Sequence, residues 1–388
     1  MLRFILLRLA VCAALLPLAG CERSATRDDG EDPRLEFAGV TTGDGHSCAL
    51  TTDGEAYCWG EYASGQLGIG GVDRQVLEPR QVSGGLRFRS LHAGTGTTCG
   101  LDANGALHCW GFVRNGIARE PVPQFPETRF AGLSPHPYTH TCGITTERMV
   151  GCWGINDTGV PVVPAMAPGP ADFVEVTVGA YRAGWSSSTR EYRGHVCGVK
   201  ATGAAFCWGD NSYGQLGTGS DVRQTSAPTP VAGGLSFKTV RAGAVSTCGL
   251  DTSGALYCWG KEIARVPRQM GAGLRFESLD MGSHHGCAVT SAGRAYCWGG
   301  NSSGELGTGT VTRSAEPQAV QGGVRFLSVS AAGLSEDDGF EKGGAHTCGI
   351  STDHRIYCWG DNFNGQLGNG TRGGSVVPVP VAEPARDA

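Results

Sequence analysis

The chain has 388 residues, 63 of them glycine, and a formal net charge of −5. With no basic stripe on that slightly acidic background, the sequence lacks the electrostatic footprint of a nucleic-acid or polyphosphate binder. Length alone would allow two or three domains, but internal repeats override that estimate.

In chain order, residues 1–20 read as a targeting segment. Arg3 and Arg8 precede the apolar run Leu9–Leu18, which is too short to span a bilayer comfortably. The run ends in Leu18-Ala19-Gly20-Cys21, which resembles a bacterial lipoprotein signal. That resemblance implies a lipid-modified Cys21 as the first mature residue, with Glu22 after it favouring the outer membrane. No other segment is long and apolar enough to be transmembrane. Residues 21–34 are polar and charged and read as a flexible tether.

From residue 35 onward one unit recurs. Its centre is Cys48–Gly60, Cys-Ala-Leu-Thr-Thr-Asp-Gly-Glu-Ala-Tyr-Cys-Trp-Gly, and six further copies follow. The cysteine pairs are Cys48/Cys58, Cys99/Cys109, Cys142/Cys152, Cys197/Cys207, Cys248/Cys258, Cys287/Cys297 and Cys348/Cys358, each ten residues apart. Cys12 belongs to the targeting segment and Cys21 to the anchor, so none of the sixteen cysteines is left over. An exported chain meets oxidising conditions, which favour disulfides. A three-residue loop Thr52-Asp53-Gly54 would set Cys48 directly opposite Cys58, close enough for a bridge. Gly54, Gly105, Gly203, Gly254 and Gly293 hold the left-handed loop position; Arg148 and His354 stand there in copies three and seven, where strain is expected. With no Cys-x-x-Cys motif, and His and Cys in separate copies, neither a metal nor a cofactor is expected.

Each copy opens on a phenylalanine: Phe37, Phe88, Phe130, Phe173, Phe237, Phe276 or Phe326. Alternating apolar and polar residues between turn signals predict short strands, and no useful helical period occurs after residue 30. After the Trp, copies one, four, six and seven run into a corner: Gly65–Gly68, Gly214–Gly217, Gly304–Gly307 and Gly365–Gly368. The other three copies lack it. The pattern Ala-Gly-x-x-His-x-Cys-x-Leu, then Tyr-Cys-Trp-Gly-x-Asn-x-x-Gly-Gln-Leu-Gly, resembles the regulator-of-chromosome-condensation repeat over about residues 35–385. The resemblance implies an all-β, seven-bladed β-propeller over residues 35–388. Family members include a nucleotide-exchange factor for a nuclear GTPase and a secreted β-lactamase inhibitor; neither activity carries over, because their contacts lie in loops. Which strands close the ring is open at this point.

Residues repeated in every copy read as structural. The histidines His46, His140, His195, His285 and His346 fit a strand-end hydrogen bond, and the seven repeat tryptophans fit blade packing. Gly300-Asn301-Ser302-Ser303-Gly304 matches a nucleophile-elbow pattern only formally, since it occupies a corner. Residues that break the repeat are more informative. An insertion in copy four carries Tyr181, Arg182, Trp185, Arg190, Tyr192 and Arg193, residue types enriched in binding hot spots. One in copy seven carries Glu336, Asp337, Asp338, Phe340 and Glu341. Repeat equivalence places both on one face. The expected function is a non-enzymatic, envelope-anchored propeller that binds a protein partner there. The rivals are a polysaccharide-binding module using Trp185 and Tyr192, or a polysaccharide-cleaving enzyme using the carboxylates at the channel mouth.

Overall fold

The computed structural model describes residues 34–71, 75–113, 116–135, 140–155, 161–166, 172–185, 190–333 and 344–384. Leu35 opens the compact unit that runs to the end of the chain. It holds seven four-stranded antiparallel sheets, and no helix occurs among the described residues. Each sheet uses four consecutive strands in sequence order, as in Phe37–Thr42, His46–Thr51, Ala56–Glu61 and Gln75–Gln81 of blade 1. The first strands surround the axis, each beside that of the next blade, and blade 7 returns to blade 1. The fold is a seven-bladed β-propeller, and its blades coincide with its repeats. No strand is exchanged at the seam, so side chains and backbone contacts close the ring.

The staple hairpins form as their spacing requires. In every blade the two half-cystines are directly opposed across the second and third strands. The bridges are Cys48–Cys58, Cys99–Cys109, Cys142–Cys152, Cys197–Cys207, Cys248–Cys258, Cys287–Cys297 and Cys348–Cys358, with Cα atoms 4.0–4.1 Å apart. No bridge joins one blade to another. In the left-handed loop position Gly54 has φ +90°, and Arg148 (+62°) and His354 (+60°) adopt the same strained conformation.

The core lies between blades. Seven apolar clusters of the described residues stand one at each junction. At the seam, Phe37, Tyr57 and Trp59 of blade 1 pack on the Cys348–Cys358 bridge, Ile350 and Leu367 of blade 7. One sheet cannot bury both faces alone, and a closed ring gives each face a neighbour.

Two sets of polar latches reinforce the junctions. The first encircles the axis. The side chain four residues after the opening Phe accepts a hydrogen bond from a backbone N–H in the next blade's first strand. The donors are Ala93 to Thr41 (3.0 Å), Val178 to Ser134 (3.2 Å), Ala242 to Thr177 (3.0 Å), Ala331 to Asp280 (2.9 Å) and, across the seam, Thr42 to Ser330 (3.2 Å). The two exceptions have chemical reasons. After His92 the donor position is Pro135, which has no N–H. After Arg241, which cannot accept, the Met281 N–H bonds instead to Asp280.

The second set couples each Gly-rich corner to the following blade. Thr98, Thr247, Thr347 and Ser47 donate to the carbonyls of Gln66, Gln215, Glu305 and Gln366, at 2.8–2.9 Å. The same hydroxyls meet Nε2 of His46, His195, His285 and His346, at 2.8–2.9 Å. Trp259, Trp359 and Trp59 also donate their indole N–H to those carbonyls, at 2.8–2.9 Å. The last Gly of the corner lies against the indole. A Cβ on Gly217 would sit 2.7 Å from Trp259 Nε1, and its φ is +68°. Only glycine fits both demands.

Candidate functional site

First strands end, and corners lie, at one rim of the ring. We term this rim the corner face. In blade 1 the first and second strands are joined there by Gly43–Gly45 alone. Blade 4 differs. Its first two strands run on as Phe173–Trp185 and Arg190–Lys200. The added register pairs Tyr181 with Arg193, Arg182 with Tyr192 and Trp185 with Arg190. The copy-four insertion is thus a β-hairpin arm rising from the corner face.

The root of the arm is fixed. Tyr181 is buried against Ala244 and Val245 of blade 5. Its hydroxyl donates to Asp210 Oδ2 at 3.0 Å, and its ring meets Tyr213 at 5.6 Å. Burial and the Asp210 carboxylate push the Tyr181 phenol well above its ordinary range. Asp210 also accepts from Ser212 (2.7 Å) and Gln215 (2.6 Å), which ties the arm to the blade-4 corner. Arg193 is exposed and lies 3.9 Å from Asp210. Tyr181 is therefore held at the root of the arm, whose backbone pairing continues beyond it through residues 182–185 and 190–192. The side chains of Arg182, Trp185, Arg190 and Tyr192 lie outside the described residues, as do Glu336, Asp337, Asp338, Phe340 and Glu341. Cys21 and the segment before it do too.

Exposed aromatic groups accompany the arm on this face. Tyr213 of the blade-4 corner is 40% exposed, Phe363 of the blade-7 corner 53%, and Phe112 at the end of the third strand of blade 2 44%. Isolated exposed apolar groups are ordinary, but these share a face with the blade-4 arm.

The half-cystines of the third strands take no part in this surface. Cys58, Cys109, Cys207, Cys258, Cys297 and Cys358 are buried, and Cys152 is half-buried. Their partners Cys48, Cys99, Cys142, Cys197, Cys248, Cys287 and Cys348 are buried as well. Each pair sits in a junction cluster: Cys99 and Cys109 beside Phe130, Cys197 and Cys207 beside Phe237, Cys248 and Cys258 beside Phe276, Cys287 and Cys297 beside Phe326. They staple blades and fill the core, so nothing in their placement offers a thiol to a metal or a partner.

The axis holds a cavity of about 590 Å³ lined by the first strands. Acidic and basic groups from different blades converge there. Arg241 of blade 5 contacts Glu175 of blade 4 and lies 3.9 Å from Asp280 of blade 6. Glu175 also accepts from Thr239 (2.9 Å) and Val240 N–H (3.1 Å), and Asp280 from Ser330 (3.0 Å). Burial raises the Asp280 carboxyl, opposed by Arg241. Arg241 is shared between the two carboxyl groups, and these contacts stitch blades 4 to 7 together, which explains their placement without substrate. Among the described residues no group of three or more His, Cys, Asp or Glu could hold a metal.

The repeat histidines and tryptophans serve the junctions where described. What sequence inspection missed is their coupling. The described histidines of the corner-bearing blades hydrogen-bond the hydroxyl of the next blade, and the fully buried tryptophans are Trp59, Trp110, Trp259 and Trp359. Those are the ones that follow a corner. A signal existed: Ser or Thr precedes the first cysteine in every blade that follows a corner, whereas Val196 and Gly286 stand there after two of the shortened ones.

Fold and surface define a propeller scaffold whose distinguishing chemistry lies on one rim. Two models of the regulator of chromosome condensation (RCC1) repeat match the chain, one at residues 37–66, 276–305 and 343–366, the other at 53–101, 202–250 and 292–333. The chain belongs to the RCC1 repeat family. It is 24% identical over 362 residues to human E3 ubiquitin-protein ligase HERC2, covering 87% of this chain and 6% of that protein. It is 25% identical over 336 residues to the Arabidopsis thaliana ultraviolet-B receptor UVR8, covering 85% of this chain and 54% of the receptor. It therefore spans well under two thirds of either relative. Among solved structures, Prp20p of Saccharomyces cerevisiae superposes with TM-score 0.64 at 20% identity, over 78% of this chain and 84% of that one. Human WBSCR16 gives 0.64 at 17% identity, over 77% and 85%. At such identities the likeness shows the fold alone.

Proposed function

We propose that this chain is a non-enzymatic recognition scaffold, lipid-anchored in a bacterial envelope, that captures a protein partner on its corner face through the blade-4 arm. The arm carries this proposal. It breaks the repeat, its root is locked to Asp210 and blade 5, and its register sets Trp185, Arg182, Arg190 and Tyr192 beyond that root. A rigid base under an aromatic, cationic tip reduces the ordering cost of binding. A propeller in this role has precedent, since Prp20p is described with its binding to Gsp1p and histones. The copy-seven insertion belongs to the same proposed surface, by repeat equivalence.

Replacing Arg182–Tyr192 with a short Gly-Ser turn leaves Tyr181 and Arg193 in place. Crosslinking and pull-down from native envelope should then lose the partner enriched by the intact chain, with the melting temperature little changed. Undiminished enrichment would move the site off the arm. The anchor has its own test: Cys21→Ser should abolish metabolic lipid labelling and release the protein from membranes. Retained labelling would overturn it.

A further inference from the structure

The junction between blades 5 and 6, like 2/3 and 3/4, lacks the corner that plugs the 1/2, 4/5, 6/7 and 7/1 junctions. The third strand of blade 5 ends at Gly260 and the fourth begins at Ala264, so no corner intervenes. A cleft of about 450 Å³ opens there, between that short connection and Trp298 of blade 6. At the 4/5 junction the equivalent space is filled by Gln215-Leu216-Gly217: Leu216 is buried, Gly217 lies on the Trp259 indole, and the Gln215 carbonyl accepts its N–H.

The cleft keeps the features that receive such a plug. Trp298 is buried and lines the cleft, and it makes none of the indole-to-carbonyl bonds that Trp259, Trp359 and Trp59 make to a corner; Trp110 lacks that bond too, although its corner is in place. Met270, Met281 and Ile263 form an apolar wall beside it. The blade-6 corner adds a carboxylate where other corners have an amide. Gln215 and Gln366 donate to Asp210 and Asp361, at 2.6 and 2.8 Å, but in blade 6 those positions are Glu305 and Gly300. Glu305 lines the cleft, and its Oε1 lies 3.6 Å from where a Gly300 side chain would begin. Its Oε2 accepts the Ser303 N–H at 2.8 Å. The opening is flanked by two ion pairs between the blades, Arg313 with Glu262 (2.7 Å) and Arg268 with Glu316 (3.3 Å).

We infer that this cleft is a docking socket for a leucine-bearing turn of a partner protein, of the Gly-Gln-Leu-Gly kind this chain uses on itself. Such a turn supplies a carbonyl to Trp298 Nε1, a branched apolar side chain to the methionine wall and an amide N–H donor to the Glu305 carboxylate. That donor matches the charge of the socket. A second folded copy cannot provide it, because Leu67, Leu216, Leu306 and Leu367 are all buried in their own ring. The socket adjoins the arm, since Val245 contacts Tyr181 and also lines the cleft. The inference extends the proposed function but does not need the arm.

The probe is a cyclic peptide with the sequence of residues 210–219, Asp-Asn-Ser-Tyr-Gly-Gln-Leu-Gly-Thr-Gly. Titration against the full ring should give saturable binding, and a photoreactive group at the leucine should label the 5/6 junction. A Leu→Asp peptide should not bind. Trp298→Phe keeps the ring and removes the N–H, and should weaken binding by about tenfold. Grafting Asn211–Gly217 in place of Lys261-Glu262 should plug the socket, abolish binding and raise the melting temperature. The arm-shortened protein should bind the peptide undiminished, so failure of the arm and failure of the socket are told apart. Equal binding by the Leu→Asp peptide, or unchanged binding to Trp298→Phe, would overturn the inference even if the graft does not fold.

Discussion

Reduced under otherwise native conditions, the ring is expected to unfold completely rather than loosen. Each disulfide closes a loop across a ten-residue separation. In the chain-entropy model each such loop contributes about 2–3 kcal/mol, so seven amount to roughly 14–21 kcal/mol. A typical domain has a net stability of only about 5–15 kcal/mol. Every bridge also lies in a junction cluster, so losing one loosens two blades. Reduction should nonetheless be slow, because thirteen of the half-cystines are buried. Cys152 is half-buried, and its bridge to Cys142 should be the first cut. The bridges that end in Cys207, Cys258 and Cys297, with both sulfurs fully enclosed, should be among the last. Timed reduction with alkylation and mass spectrometry reads the order, and circular dichroism reads the fold. A fully reduced chain that keeps its native spectrum would contradict the expectation.

Acid should be the second strong destabiliser, over a defined range. Burial is the main cause that depresses the four latch histidines, His46 and His285 to about 3 and His195 and His346 to about 4. His92 beside the axis falls to about 4, through burial and then Arg241 and Arg89. Their ordinary value is 6.5. The folded chain thus keeps them neutral where the unfolded chain takes up protons. Stability from these groups is complete above pH 6.5 and declines as pH falls toward 4. Each can withdraw up to about 1.4 kcal/mol per pH unit, so the four latches set an upper bound of about 5.6 kcal/mol per unit. Asp280 and Glu305, raised by burial, act in the opposite sense but are fewer. Denaturant midpoints measured from about pH 7 to about pH 4.5 should fall steeply. His195→Gln should flatten the slope by about one proton. A flat profile in the wild-type chain would show that these histidines are not held neutral.

Local features were legible in the sequence because the forces that set them are local. The ten-residue spacing, the turn glycine and the alternating pattern fix a hairpin register from Cys48 to Gly60, and the structure has it. Blade number follows from counting. The latches were not legible, because their partners are far apart in sequence. Ser47 and His346 are 299 residues apart, and Thr42 and Ser330 are 288. The axial belt was hidden for another reason. Thr41, His92, Ser134, Thr177, Arg241, Asp280 and Ser330 share a position but not a residue type, so no motif marks them. Tyr181 shows the limit of composition: Tyr, Trp and Arg together suggest contact with a partner, but only the structure shows that Tyr181 is buried at the root of the arm.

The absence of strand exchange makes the seam a junction of the same kind as the others that carry a corner. The seam between Val381 and Phe37 stands where the other junctions have a short connection, such as Val82–Phe88, and its contacts are of the same types. The ring therefore has no privileged first blade. Opened at any of those connections and joined at the present seam, the same sequence would define the same closed circle, and whatever the ends carry could be moved around the axis relative to the arm.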